Sequence, residues 1–387
     1  MSRRMAFAMA AVLVVAMVLS SCAPAATPTP VLPTRAPAQA TKAPEATKAP
    51  EATKAPEATK APEATTAPAA WTAGVAKNPK DLKGKPLTIV DVPKLIGIEY
   101  FSATAKGMQD AAKELGNVKV TTDAPTEAKI EKQIEFIDNF ITQGPDFIFY
   151  AANDPVAISP VLRKALDKGI HVIGYDADAE ENAREFFVNQ VDFKDFGYAM
   201  ADEAARLAGE DAHLGIVTSS LTAPNQNTWI KYIKERLADK HPNIKLLDIR
   251  PSEEDQNLAF TVTQDMMKAY PDMNVVIGLS SVASPGAADA VTQAGKIGKV
   301  HVVGCSTPNV MRKFVKSGAC ESVILWNPVD LGYATVYAAR ALADGTLKPG
   351  DKELKAGKLG SLSITGSTIL LGKPYVFNKD NIDNFNF

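Results

Sequence analysis

Short apolar runs alternate with amphipathic segments along the chain from residue 87 onward. The runs have the length of strands and are rich in β-branched and aromatic residues, whereas segments such as 130–140 repeat apolar residues every three or four positions. This alternation is typical of parallel sheets with helices on both faces, so we predict an α/β fold. The predicted strands are 87–92, 118–121, 147–150, 171–175, 214–217, 245–249, 275–279, 301–304 and 322–325.

The predicted strands fall into two groups, which indicates two lobes. Four strands precede Asp176, and a second group follows residue 213. The chain has 387 residues, which is enough for two lobes that each have a core. Because ligand sites of open α/β sheets form in the loops after the carboxyl ends of the strands, we expect a site where these loops meet.

The first 21 residues have the pattern of an export signal. Arg3 and Arg4 precede an apolar segment, 5–19, which is too short to span a bilayer comfortably. The sequence Leu-Ser-Ser-Cys that ends at Cys22 resembles the bacterial lipobox, which implies cleavage after residue 21 and lipidation of Cys22. The alternative is an ordinary cleaved signal with an incidental cysteine.

Residues 22–80 are predicted to be a disordered tether. Ala, Pro, Thr, Lys and Glu dominate this segment, and Ala-Thr-Lys-Ala-Pro-Glu repeats four times from Ala40 to Glu63. Proline at every sixth position blocks a continuous helix, and the repeats lack the branched and aromatic side chains that would form a core. We therefore expect a solvated spacer.

Charge and motif content exclude several classes of function. The 42 basic and 44 acidic residues nearly cancel, so we predict no nucleic-acid partner. The three cysteines and four histidines lack metal-site spacing, and we expect no metal. The chain has no phosphate-binding glycine motif and no Ser-His-Asp set at the strand ends, so we predict no cofactor and no catalytic residues.

Polar side chains with hydrogen-bonding capacity follow the predicted strands, and aromatic residues accompany them. Amides, carboxylates and an ammonium beside aromatic walls suit a neutral, polyhydroxylated small molecule. The candidate ligand-binding residues are Lys94, Tyr100, Phe101, Asn153, Asp176, Asn225, Gln226, Ser280, Ser281, Trp326 and Asn327.

Each candidate also has a purely structural interpretation. Lys94 could be a surface charge, and Asp176 could cap a turn. Asn225 could cap the following helix, and the aromatic residues could belong to the core. For Cys305 and Cys320, a disulfide and two buried free thiols are both open in an exported protein.

Seven motifs resemble those of the autoinducer-2-binding and rhamnose-binding proteins, which are type I periplasmic solute-binding proteins of sugar ABC importers. The resemblance extends from about residue 87 to the C-terminus. It implies two doubly wound parallel-sheet lobes joined by a three-segment hinge, with 81–189 plus 322–350 in the first lobe and 190–321 plus 351–387 in the second lobe and hinge. The motifs are 92–97, 123–127, 174–178, 188–190, 225–227, 305–312 and 376–382.

The resemblance also assigns ligand contacts, with departures in the second lobe. The family's lysine corresponds to Lys94 and its first aspartate to Asp176. Its glutamine is kept at Gln226, but Asn225 replaces a carboxylate and Ser280 and Ser281 replace the last two residues of an A-P-D-A motif. The implied ligand is rhamnose, another monosaccharide or polyol, or autoinducer-2 with its furanosyl-like ring.

Taken together, the patterns and the resemblance predict a monomeric, lipid-anchored solute-binding protein on the periplasmic or extracellular face of the cell membrane. Its partners would be the sugar-like ligand, the membrane and the transmembrane subunits of an ABC permease. One alternative is a sensor that presents the ligand to a histidine kinase or chemoreceptor. An exported sugar-modifying enzyme is a further alternative, which the missing nucleophile and phosphate motifs disfavour.

Overall fold

The computed structural model describes residues 71–387, and the predicted export signal, Cys22 and the tether repeats lie outside the described residues. The helices are α1 (Glu99–Leu115), α2 (Ile130–Gln143), α3 (Pro155–Asp167), α4 (Phe193–Ala208), α5 (Pro224–Lys240), α6 (Gln256–Ala269), α7 (Ala283–Gln293), α8 (Pro308–Ser317) and α9 (Pro328–Asp344). None of the helices in residues 71–387 is long and apolar enough to cross a lipid bilayer.

The strands of the described residues form two sheets. The first has the order β11-β12-β13-β5-β4-β3-β1-β2 and the second the order β14-β10-β9-β8-β6-β7. Neighbouring strands are parallel except for the pairs β11–β12, β12–β13 and β10–β14. The strands are β1 (Leu87–Val92), β2 (Val118–Thr122), β3 (Phe147–Tyr150), β4 (His171–Tyr175), β5 (Phe186–Asn189), β6 (His213–Thr218), β7 (Lys245–Pro251), β8 (Val275–Gly278), β9 (His301–Gly304), β10 (Ser322–Leu325), β11 (Glu353–Lys355), β12 (Ser361–Thr365), β13 (Thr368–Leu370) and β14 (Tyr375–Phe377).

Both lobes have the predicted α/β layering, which confirms the fold class. Strands β3, β4, β8 and β10 are buried at every position, as expected of strands covered by helices on both faces. Helix α1 packs on α9 in the first lobe, and α4 packs on α5 in the second. The chain passes between the sheets after β5, β10 and β13, so three segments of the described range join the lobes.

The lobe boundaries differ from those predicted in two segments. Strand β10 (Ser322–Leu325) pairs in parallel with β9 and therefore belongs to the second sheet, not the first. Strands β11 to β13 (353–370) extend the first sheet through the pairing of β13 with β5. The prediction that 322–350 returns whole to the first lobe, and that the whole tail from 351 lies in the second, is wrong for these strands.

The end of the predicted tether is also wrong, because residues 71–80 contact the first lobe. The Trp71 ring lies 5.3 Å from that of Phe186, measured between centroids. The backbone N–H of Gly74 donates to the carbonyls of Glu181 and Arg184. A Cβ at Gly74 would lie 2.7 Å from the carbonyl oxygen of Asn182, so glycine permits this close approach.

Cys305 and Cys320 are buried free thiols, and the disulfide alternative is not formed. The two cysteines do not pair because of where they lie relative to two parallel, neighbouring strands. Cys305 follows the carboxyl end of β9, whereas Cys320 precedes the amino end of β10. The two residues therefore flank opposite ends of the paired strands, and the Cys320 thiol instead donates to the Ser322 carbonyl at 3.3 Å.

Candidate ligand-binding site

A cavity lies between the lobes at the carboxyl ends of strands from both sheets, and its empty space of about 360 Å³ includes solvent at the opening. Nine of the eleven predicted site residues border it. Six further lining residues were not predicted from the sequence, and two of them, Glu254 and Trp229, have buried polar atoms without a hydrogen-bond partner among the described residues. The predicted residues that border the cavity are Lys94, Tyr100, Phe101, Asp176, Asn225, Gln226, Ser280, Ser281 and Trp326. The residues that were missed are Ile98, Trp229, Glu254, Leu279, Cys305 and Leu325.

Lys94 follows β1 and is buried, which is unusual for a lysine. Its Nζ lies 3.9 Å from Oε1 of Glu254, which comes from the second lobe. Asn153 holds the Lys94 loop, because its Nδ2 donates to the Lys94 carbonyl at 2.9 Å and to Gln133 Oε1 at 3.1 Å. The first lobe therefore fixes the backbone from which the ammonium enters the cavity.

Asp176 follows β4 with a backbone φ of +61°, in the left-handed region that aspartate and asparagine tolerate better than most residues. The Tyr100 hydroxyl donates to its Oδ1 at 2.8 Å, and Trp326 Nε1 donates to the Tyr100 oxygen at 2.9 Å. Burial raises the pKa of Asp176, while the Lys94 charge and the Tyr100 hydrogen bond oppose the increase. The Asp176 carboxylate is thus oriented by two hydrogen bonds in series, from Trp326 to Tyr100 and from Tyr100 to Asp176, which we call the aromatic relay.

The second lobe contributes two amides at the start of α5. Gln226 Oε1 accepts hydrogen bonds from the Thr218 hydroxyl at 2.5 Å and the Ser219 N–H at 2.6 Å. Since its oxygen is engaged, the group that Gln226 can offer a ligand is its amide NH₂. Asn225 Nδ2 donates to the Asp176 carbonyl at 3.4 Å, which links the lobes beside the cavity.

Serines after β8 complete the polar rim of the second lobe. Ser280 Oγ accepts from the Ala283 N–H at 3.0 Å, at the beginning of α7. The carbonyl of Ser281 accepts from the Ser306 hydroxyl at 2.8 Å. Both hydrogen bonds hold this loop against the cavity.

Aromatic rings form the apolar wall. Trp326 contacts Tyr100 edge to face, with centroids 6.1 Å apart, and Trp229 at 5.7 Å. Phe196 packs behind both tryptophans. Trp229 Nε1 is buried and has no hydrogen-bond partner within residues 71–387. In the sequence, Trp229 repeats with Ile233 and Leu237 at the spacing of buried helix positions. Nothing in that pattern distinguishes a tryptophan that lines a cavity from one that lies in the core.

The structure places Asn153 and Asn327 outside this cavity, which corrects their assignment as ligand contacts. The amide of Asn153 is committed to the Lys94 carbonyl and Gln133. Asn327 is the N-cap of α9, since its Oδ1 accepts from the N–H groups of Val329 and Asp330. An asparagine after a strand serves as a cap or a loop brace as readily as a ligand contact.

Asp91 in β1 is a buried carboxyl outside the cavity lining, and burial raises its pKa to about 7. Between about pH 4 and 7 the Asp91 carboxyl is ionised in the unfolded chain but still protonated in the folded chain. The free energy of unfolding therefore falls by about 1.4 kcal/mol per pH unit in that window and then levels off. Asp91→Asn, which can keep the hydrogen bond from the Thr122 hydroxyl, should remove this decline.

Chemical denaturation of wild type and Asp91→Asn at several pH values checks this prediction, and the difference between the two proteins isolates Asp91 from other titrating groups. Parallel curves across pH 4 to 7 would contradict it.

Comparisons with known proteins agree with this architecture. A family described as "periplasmic binding protein domain" matches residues 89–347, more than half of the chain. A structure of a sugar ABC transporter from Actinomyces odontolyticus is 32% identical, with a TM-score of 0.64, and covers 80% of this chain and 100% of its own.

Two further structures match the group recognised in the sequence. An ABC transporter solute-binding protein from Clostridium phytofermentas with bound L-rhamnose is 29% identical, with a TM-score of 0.72 and coverage of 78% of this chain and 98% of that one. LsrB from Clostridium saccharobutylicum in complex with AI-2 shares the fold, with 24% identity, a TM-score of 0.74 and coverage of 78% and 100%. The resemblance is confirmed, and the chain belongs to the periplasmic binding protein domain family, with the type I fold of two α/β lobes.

Proposed function

We propose that this protein captures a small sugar or sugar-like molecule between its lobes and delivers it to the transmembrane subunits of an ABC importer. The observation that carries the proposal is the cavity between the lobes in which the buried side chains of Lys94 and Asp176 of the first lobe face Gln226 of the second. Relatives described as a sugar ABC transporter and as an L-rhamnose-bound solute-binding protein support the same class of ligand.

The chemistry of the cavity suits sugar hydroxyls, each of which both donates and accepts. Asp176 accepts hydrogen bonds, whereas the Lys94 ammonium and the Gln226 NH₂ group donate them. The apolar faces of the ring pack against Phe101 and Trp326, which line the cavity. A ligand held in this way bridges both lobes, so it favours the closed state that a permease can distinguish from the open one.

The ligand we propose is rhamnose, another monosaccharide or polyol, or autoinducer-2. Asn225 provides an amide where the resembling proteins have a carboxylate, and its Nδ2 contacts the Asp176 carbonyl. The second lobe therefore recognises its ligand with a different set of groups. This difference widens the list of candidate sugars beyond the ligands of the two named relatives.

A thermal-shift screen of the purified full chain tests the proposal. The panel is L-rhamnose, D-ribose, autoinducer-2 and small polyols, with buffers of matched osmolality as the control. A ligand that binds the native state alone adds about 2.7 kcal/mol to its stability at 100 times Kd, so at least one member should raise Tm by several degrees. An unchanged Tm with every member would contradict the sugar-binding proposal.

The proposal includes a monomeric protein that is exported and anchored through a lipid on Cys22. An acyl chain on Cys22 would hold the binding lobes near the permease without a spanning helix. Labelling of cells with radioactive palmitate should mark the wild-type chain and leave Cys22→Ser unlabelled. Equal label in both would show that Cys22 is not the anchor.

A further inference from the structure

Glu254 enters the cavity from an unusual turn after β7. Glu253 and Glu254 both have positive φ angles, +49° and +54°, a conformation that residues other than glycine rarely adopt. The Ser252 N–H donates to the Thr218 carbonyl at 2.8 Å and the Glu253 N–H to the Ser219 carbonyl at 2.6 Å. The end of β6 thus fixes a turn that buries the Glu254 side chain and leaves Glu253 exposed.

The Glu254 carboxylate is only partly satisfied. Its side chain is 7% exposed, and Oε1 lies 3.9 Å from Lys94 Nζ across the gap between the lobes. Its Oε2 is buried without a hydrogen-bond partner in the described part of the chain. Buried carboxylate oxygens are nearly always hydrogen-bonded, so a donor from a bound molecule is the natural partner of this atom.

The cavity also has an excess of negative charge. Two of the described lining residues, Asp176 and Glu254, are acidic, and one, Lys94, is basic. A ligand carboxylate or phosphate would add a further anion to a space with little water to screen it. A hydroxyl can instead donate to either carboxylate without adding charge.

We infer that Glu254 is a specificity-determining residue that accepts a hydrogen bond from a ligand hydroxyl through Oε2 and, together with Asp176, excludes sugar acids and sugar phosphates. This inference rests on the proposed function and narrows it to uncharged sugars. Residue 225 is an asparagine and has no carboxylate. Among the described residues that line the cavity, Glu254 is therefore the one that provides a carboxylate from the second lobe.

The first test needs no ligand. Glu254 raises the pKa of Asp176, although burial is the larger cause, and the other groups that influence Asp176 are Lys94 and Tyr100, with Cys305 also buried beside it. In a carbon-13 NMR titration, Glu254→Gln should lower the pKa of Asp176. Glu253→Gln, a change of the same type on a neighbour with the same backbone conformation and an exposed side chain, should leave it unchanged. Equal pKa values in all three proteins would show that Glu254 does not share the cavity with Asp176.

The second test compares neutral sugars with charged partners by calorimetry. The pairs are D-galactose with D-galacturonate, D-glucose with D-glucuronate, and D-ribose with D-ribose 5-phosphate, and L-rhamnose is included as a neutral ligand. Wild type should prefer the neutral member by about 100-fold or more, because juxtaposed like charges cost several kcal/mol. Glu254→Gln should reduce that preference about tenfold, and Glu253→Gln should not change it.

Charged members that bind wild type as tightly as neutral ones, or an unchanged preference in Glu254→Gln, would overturn the inference. If no sugar binds wild type, the proposed function fails. The titration of Asp176 still decides separately whether Glu254 lies in the cavity.

Discussion

Replacement of Asp176 by asparagine should weaken sugar binding by about 10- to 150-fold without lowering the Tm of the ligand-free protein. A hydrogen bond to a charged group contributes about 1.5 to 3 kcal/mol, which is the loss expected when the carboxylate becomes an amide. Burial raises the pKa of Asp176, so its ionised form costs stability at neutral pH and the amide relieves that cost. Asparagine also tolerates the φ of +61°.

Asp176→Ala should abolish binding altogether, because it leaves ligand hydroxyls unpaired in a closed cavity and adds backbone strain at a positive φ. The asparagine variant therefore measures how much the negative charge of Asp176 contributes to sugar affinity, whereas the alanine variant also removes the hydrogen-bonding group and strains the backbone.

Asp178 provides a matched control two residues away. Its carboxylate pairs with Arg184 Nη2 at 2.7 Å and does not border the described cavity. Asp178→Asn should lower Tm and leave sugar affinity unchanged, the reverse of Asp176→Asn. Calorimetric titration and thermal unfolding of both variants separate the two effects. Unchanged affinity in Asp176→Asn would mean that Asp176 is a turn residue and not a ligand contact.

Replacement of Gly332 by alanine should destabilise the protein by about 3 kcal/mol and also weaken sugar binding. Gly332 lies where α9 crosses α1, and a Cβ there would be 2.0 Å from the Thr104 carbonyl oxygen. The same crossing depends on Gly107, where a Cβ would be 1.8 Å from the Val329 carbonyl oxygen. These contacts involve backbone on both sides, so the helices must separate to admit a methyl group.

Binding should suffer because the crossing aligns the two helices that position the aromatic relay. Tyr100 lies in the first turn of α1, and Trp326 directly precedes the cap of α9. Gly372→Ala is the control, since, apart from its two chain neighbours, no described residue has an atom within 4 Å of the Cβ position at Gly372. Denaturant unfolding measures both variants, and a Gly332→Ala protein as stable as Gly372→Ala would contradict the prediction.

The strands that could be predicted from the sequence are those with an uninterrupted run of apolar residues, because such a run indicates burial on both faces of the sheet. Phe147–Tyr150 and His171–Tyr175 are apolar at almost every position because helices cover both faces, and the structure has both with the predicted bounds. Ser361–Thr365 was not predicted, although exposed serine and threonine alternate there with buried Leu362 and Ile364, which is typical of a half-buried strand. This strand pairs with its neighbours β11 and β13, and only the pairing of β13 with the distant β5 joins the three strands to the first sheet. The local pattern does not encode that distant pairing.

The same distinction applies to the site. Lys94 and Asp176 were candidates because they lie just after strong strands, and parallel strands end at one edge of a sheet. The family resemblance then assigned both residues as ligand contacts. Glu254 was missed because Ser252-Glu253-Glu254-Asp255 has the composition of a solvated turn, and only the positive φ angles direct its side chain inward. Local composition therefore located the edge of the site but not every side chain that enters it.

The cavity between Lys94, Asp176 and Glu254 is the proposed sugar site. A crystal structure of the protein with the panel sugar that gives the largest thermal shift tests this assignment. We expect one sugar ring in this cavity, with hydroxyls within about 3.2 Å of an Asp176 oxygen and of Glu254 Oε2. Sugar density elsewhere on the protein, with this cavity filled by water alone, would contradict it.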